Sequence, residues 1–152
     1  MNESLVGSFF DADHDRLDKE LISFMELKGQ NPEFAEEAFS RFRIGLLRHM
    51  MWEEVFLFPA YQKASPESSR EFIDVMKREH IKIKECLSRL SEVVGACIQP
   101  LGSEEAELMG LLAAHHNKEE SILYPNIDQW LTENERRTLI QQIKESQKNS
   151  RY

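Results

Sequence analysis

Four histidines and two glutamates of this 152-residue chain fall into two sets related by one displacement. His14 recurs as His80, His49 as His115, Glu53 as Glu119 and Pro59 as Pro125 (80 − 14, 115 − 49, 119 − 53 and 125 − 59 are all 66). Imidazole and carboxylate are donors that transition metals accept. His-x-x-x-Glu spacing on a helix brings both groups to one face, about 40° apart in rotation and about 6 Å apart in rise. A lone buried histidine is more often a hydrogen-bonded core residue, and a lone His-x-x-x-Glu is often a surface pair. Six such positions with duplicated spacing favour metal ligation, and two equal donor sets favour a two-metal centre over a single ion.

Both His-x-x-x-Glu pairs interrupt apolar stripes, with Phe42, Leu46 and Phe56 around the first and Leu108, Leu111 and Ile122 around the second. An unpaired carboxylate in such a core costs several kcal/mol; a bound cation removes that cost. In the metal-free chain Glu53 and Glu119 are expected to take up protons, because burial and mutual repulsion both disfavour their ionised forms. His116 and Glu120 share the four-residue spacing but sit about 100° around the helix. His116 answers Met50 in the repeat, so it is read as exposed or as a support to the ligands. Glu54 and Glu120 do repeat, and are read as solvent-facing or as orienting an imidazole.

The elements that must position these groups are helices. The first is expected to follow Asp11 or Asp13, carrying Leu17, Leu21 and Phe24 toward a cap at Gly29; the repeat answers these apolar positions with Ile83, Leu87 and Leu90. Asn31-Pro32 starts a second, bearing Phe39, Phe42, Leu46, Phe56 and Ala60, which Pro59 kinks or ends. Ser65-Pro66 opens a third with the stripe Phe72, Ile73, Met76, Ile83, Leu87, Leu90 and Val94, and Gly102-Ser103 opens a fourth. Thr132 and Glu135 have capping-box spacing and begin a last helix that ends in KNSRY. The fifth helix and the apolar residues Leu5, Val6, Phe9 and Phe10 are expected to pack outside the bundle or across an end of it. The pattern predicts an all-α fold: an antiparallel up-down four-helix bundle with a pseudo-two-fold internal repeat, over about residues 10–129, and an additional C-terminal helix over about 132–147.

A chain of this length fits one domain, spanning residues 1–152, with material for a proper core. The formal net charge of −8 repels phosphate backbones, so no nucleic-acid partner is expected. MNESLVGSFF lacks the features of a signal peptide and no apolar run reaches membrane-spanning length, so the expected location is cytoplasmic, with no membrane partner. Cys86 and Cys97 fall eleven residues apart in one predicted helix, too far for a disulfide, and read as reduced thiols.

The motifs HDRLDKEL, HMMWEEVFLFP, REHIKI and HHNKEESILYP resemble those of the hemerythrin-like, or HHE cation-binding, family over nearly the whole chain. The resemblance implies a four-helix bundle holding two non-haem irons, Fe2+ or Fe3+, bridged by an oxo or hydroxo group. It places one iron at His14 and His49 and the other at His80 and His115, with Glu53 and Glu119 bridging both. Oxygen-carrying members have a further histidine one turn before the position of His80, where this chain has Met76. Reversible oxygen carriage is therefore not the expected role.

What the resemblance implies is a di-iron protein that binds or reduces a small diatomic or peroxidic ligand, such as oxygen, peroxide or nitric oxide, in sensing or stress protection. Trp52 and neighbouring Phe and Met side chains would limit solvent access, while Tyr61 and Tyr124 read as core or rim residues ahead of redox relays. Two other readings compete: an iron-sensing module whose folding depends on metal, and a metal-free helical interaction domain.

Overall fold

The computed structural model describes residues 5–65, 67, 69–95 and 102–148, and every regular element among them is helical. Helix α1 covers Val6–Leu27 and α2 covers Pro32–Trp52. A five-residue π turn, Glu53–Leu57, joins α2 to α3, Phe58–Ala64. Helix α4 covers Ser69–Gly95 and α5 covers Gly102–Lys118. A second π turn, Glu119–Leu123, leads into α6, Tyr124–Trp130, and α7 covers Glu133–Lys148. The bundle packs α1 on α2, α4 on α5 and α2 on α4, while α7 packs on α1 and the first π turn.

The first helix begins at Val6, earlier than the acidic residues at 11 and 13 suggested. Asp128 of α6 explains the difference: its two carboxylate oxygens accept from the backbone N–H groups of Val6 and Gly7 at 2.7 and 3.0 Å. A distant side chain therefore satisfies the donors that a local cap would otherwise serve. Val6 and Phe10 consequently extend the buried stripe of His14, Leu17, Leu21 and Phe24. Gly29 does follow the helix, but it is not in the left-handed conformation of a glycine cap; the N–H groups of Gln30 and Asn31 close the turn onto the Leu27 carbonyl.

Asn31 caps α2 as its sequence suggested, accepting from Phe34 N–H at 3.2 Å. The Thr132–Glu135 box is also formed, with reciprocal bonds of 2.9 and 3.1 Å. The third predicted helix is described over Ser69–Gly95; Pro66 of its Ser65-Pro66 signal lies outside the described residues, as do Cys97 and the tail residues 149–152.

Pro59 does not end helical structure, which continues through it to Ala64. Its missing N–H and its ring conflict with an ordinary helical bond to the Val55 carbonyl. The backbone widens instead, and the Phe58 N–H bonds the Glu53 carbonyl five residues back. Tyr124 N–H bonds the Glu119 carbonyl in the same way ahead of Pro125. One extra residue in a turn rotates everything beyond it by about 100° relative to an uninterrupted helix. Leu57, Phe58, Leu123, Tyr124 and Ile127 are therefore buried, whereas Ile122, expected on the apolar face, is exposed and Phe56 is only half-buried.

Two apolar clusters result. One contains Leu17, Phe24, Phe42, Leu46, Ile83, Leu90 and Leu108; the other contains Val6, Phe10, Trp52, Phe58, Met76, Tyr124 and, from α7, Leu139 and Ile143. Along the chain, each of the four repeat histidines stands between residues of the two clusters, so a polar layer separates them.

Candidate metal centre

His14 on α1, His49 on α2, His80 on α4 and His115 on α5 are each at most 2% exposed, and Glu53 and Glu119, at the start of the two π turns, are fully buried. These are the six positions singled out in the sequence, and the fold brings all six together. Nε2 of His14 lies 3.1 Å from Nε2 of His49, and Nε2 of His80 lies 3.1 Å from Nε2 of His115. The carboxylates cross between the pairs. Glu119 Oε1 is 3.1 Å from His14 Nε2 and its Oε2 is 3.4 Å from His115 Nε2. Glu53 Oε1 is 3.1 Å from His80 Nε2 and its Oε2 is 3.7 Å from His49 Nε2.

Each imidazole is held from behind. Nδ1 of His14 donates to Glu120 at 2.9 Å and Nδ1 of His80 to Glu54 at 2.8 Å. Nδ1 of His49 donates to Asp13 and Nδ1 of His115 to Glu79, both at 2.8 Å. With the proton on Nδ1, every Nε2 offers a lone pair to the interior. Glu54 and Glu120 thus take the orienting role considered for them. Asp13 and Glu79 were not singled out, although the repeat could have found them, since 79 − 13 is 66 and each precedes a histidine of the set.

The donor set fits a cation. Two lone pairs facing each other at 3.1 Å repel unless something positive lies between them, and both His–His contacts have that separation. Glu53 Oε1 and both oxygens of Glu119 are buried without a hydrogen-bond partner, since the short imidazole approaches lack hydrogen-bond alignment. Unsatisfied carboxylates are costly in a dry core, and metal ligation is a general reason to keep them. Glu53, His80, His115 and Glu119 have ligand atoms within 4.8 Å of one another, as do His14, His116 and Glu119.

Without metal, protons partly replace the ions, though not as the sequence suggested. Burial disfavours a charged His14, but Glu119 and Glu120 outweigh it and raise its pKa to about 9. Burial likewise opposes charge on His80, and Glu53 and Glu54 raise it to about 9. Burial and the Glu119 carboxylate push Glu53 up. Glu119 was expected to follow. Instead, the neighbouring Glu53 carboxyl and the His115 and His14 imidazoles outweigh its burial and hold it well below the usual carboxylate range. Behind the ring of His49, burial of Asp13 is overcome by His49 and Arg16, which lower it to about 2.

Two more side chains enter the layer. Tyr124, expected as a plain core or rim residue, is buried but donates its hydroxyl to Glu53 Oε2 at 2.7 Å, and the hydroxyl oxygen itself lies 3.4 and 3.5 Å from Nε2 of His14 and His49. Helical periodicity hid this, because the π turn is what aims position 124 inward. Its repeat partner Phe58 stacks on His80 with centroids 5.8 Å apart. His116 is half-buried and stacks on His14 at 3.7 Å; burial and the charge on His14 push its pKa down to about 2.

The hemerythrin HHE cation binding domain model matches residues 6–106. The chain belongs to this family. Its other members' defining property is cation binding, typically of iron, and the buried His/Glu groups of this HHE domain could hold metal. The match ends before His115 and Glu119, so those two positions rest on the internal repeat and on their place in the bundle. Neither curated proteins nor solved structures yielded a match to this HHE chain. No helix among the described residues is long and apolar enough to cross a membrane.

Proposed function

We propose that this HHE domain is a non-haem di-iron protein that binds or reduces oxygen, peroxide or nitric oxide, in sensing or in protection against oxidative or nitrosative stress. One observation carries the reading: four inward-facing Nε2 atoms and two buried carboxylates with unpartnered oxygens form a doubled, cross-linked donor set in a buried layer. His14 and His49 would hold one ion and His80 and His115 the other, with Glu53 and Glu119 bridging. Packing of α1 on α2 and of α4 on α5 supports two repeat-related hairpins and an antiparallel up-down bundle.

When bound, the iron pair would supply Lewis acidity and one-electron redox chemistry at this layer. The chain's own groups orient and enclose it. Asp13, Glu54, Glu79 and Glu120 fix the tautomer and direction of the four imidazoles. Phe10 packs edge-on against His49 and Phe58 stacks on His80, which helps exclude water from both sides. Tyr124 keeps a hydroxyl proton at Glu53 Oε2 on the His14–His49 side. Met76, fully buried one turn before His80, leaves the second side without a fifth histidine, which argues against reversible oxygen carriage.

Anaerobic reconstitution with ferrous iron tests the reading. Two irons per chain are expected, and Glu53→Ala or Glu119→Ala should disturb both ions; a plateau at one iron in both wild type and Glu119→Ala refutes the bridged pair. Air should convert the ferrous protein to a stable ferric form with a changed absorption spectrum. Peroxide consumption by the loaded protein supports a reductive role, whereas metal-dependent folding without turnover supports the iron-sensing alternative.

A further inference from the structure

The carboxylates behind the four imidazoles are alike in role but not in surroundings. Asp13 is paired with Arg16 at 2.9 Å, Glu54 with Lys84 at 3.3 Å, and Glu79 with Lys118. Among the described residues, Glu120 has no lysine or arginine partner: its ion-pair contact is with His14, and its side chain is 45% exposed.

The repeat sharpens this contrast. Around His14, α1 carries Asp11, Asp15 and Asp18; at the related positions around His80, α4 carries Lys77, Ile81 and Lys84 (77 − 11, 81 − 15 and 84 − 18 are all 66). Asp11, Nδ1 or Nε2 of His14, and Glu120 present ligand atoms within 4.8 Å of one another. Asp11 Oδ1 is a buried oxygen without a hydrogen-bond partner. Burial first, then Glu120 and Asp15, push the Asp11 carboxyl up, a sign of negative charges crowded at one mouth. Asp18 is raised by burial and feels Asp15 and Glu120 in the same way.

On the inner side of the His14 ring lies a second feature that calls for a cation. Glu119, fully buried with both oxygens unpartnered, sets Oε1 3.1 Å from His14 Nε2. One imidazole therefore presents Nδ1 to the acidic mouth and Nε2 to the buried donors.

We infer that Asp11 and Glu120, beside His14, form a docking site where divalent metal cations are captured at the surface before passing to the buried centre, with Asp15 and Asp18 supplying the attracting field. The inference rests on the two-metal reading of that centre. A negative mouth raises the local concentration of cations and their rate of capture. On the opposite side, Lys77 and Lys84 make the corresponding approach to His80 less favourable, so a single mouth serves both metal positions.

Stopped-flow uptake of Co2+ by the metal-free full chain, followed by cobalt absorption, tests this. At low ionic strength Asp11→Asn/Asp15→Asn/Asp18→Asn should capture cobalt roughly tenfold more slowly than wild type, and the gap should close as salt screens the field. Lys77→Gln/Lys84→Gln should not be slower than wild type. Asp15 and Asp18 are exposed and Asp11 is half-buried, and circular dichroism with the double variant Asp15→Asn/Asp18→Asn, which retains all docking donors, separates a folding defect from lost steering: slowing in that folded variant supports the field. Unchanged low-salt rates in the folded triple variant overturn the docking site while leaving the centre standing. A wild type that fails to bind two Co2+ at equilibrium overturns the centre itself, and the docking site with it.

Discussion

The hydroxyl of Tyr124 donates to Oε2 of Glu53 across 2.7 Å, and the repeat-related residue, Phe58, has no hydroxyl with which to do the same for Glu119. An otherwise paired site is thereby made unequal. Tyr124→Phe should keep the metal stoichiometry while making the two ion environments more alike, visible as convergence of two iron signals by Mössbauer spectroscopy. In the metal-free protein it should also cost about 1–3 kcal/mol, because a buried carboxylate oxygen loses its donor. Unaltered iron signals with full occupancy would show that the hydroxyl does not distinguish the positions.

Asp13→Asn and Glu79→Gln test the groups behind His49 and His115. Each substitution weakens the acceptor that holds Nδ1–H and with it the direction of the Nε2 lone pair. Metal affinity should fall by about 10–100-fold in each case, measured by competition with a chelator. An affinity equal to wild type in both variants would reduce these carboxylates to surface charges.

Metal should stabilise the fold, since six buried donor groups lose their compensation when it leaves. Binding to the native state alone raises stability by mass action, by about 2.7 kcal/mol when free metal exceeds the dissociation constant roughly a hundredfold. The unfolding midpoint should rise on loading, and amide exchange should slow most in α2 and α5, which carry His49 and His115. Matching melting and exchange in verified metal-free and two-metal samples would rule out the coupling and weaken the iron-sensing alternative.

Asp128→Ala should release the first turn of α1 without touching the centre. The carboxylate serves two backbone donors, so a loss of about 1–2 kcal/mol is expected, within the range of strong helix caps. Urea denaturation gives the loss, and exchange at Val6 and Gly7 should quicken while metal stoichiometry stays unchanged. Wild-type protection at those two amides would show that the cap is dispensable.

Much of the site was legible because duplication and helical periodicity are both one-dimensional signals. A shift of 66 aligns His14 with His80, and four-residue spacing places His49 beside Glu53, without knowledge of how the helices pack. Caps at Asn31 and Thr132 were readable for the same reason, since each involves side chains and amides three residues apart.

The start of α1 was not readable, because Asp128 is 122 residues from the amide it caps. Nor was the inward turn of Tyr124, since a constant advance of about 100° per residue fails wherever a π turn inserts an extra one. The identities and spacing of His14, His49, Glu53, His80, His115 and Glu119 were set by the sequence itself, as was the helical class. Only the tertiary structure decided how they meet: carboxylates crossing between histidine pairs, and Asp13 and Glu79 behind two of the rings. The physical reason is that donor direction and local field depend on residues from different helices, and their distances exist only once the bundle has packed.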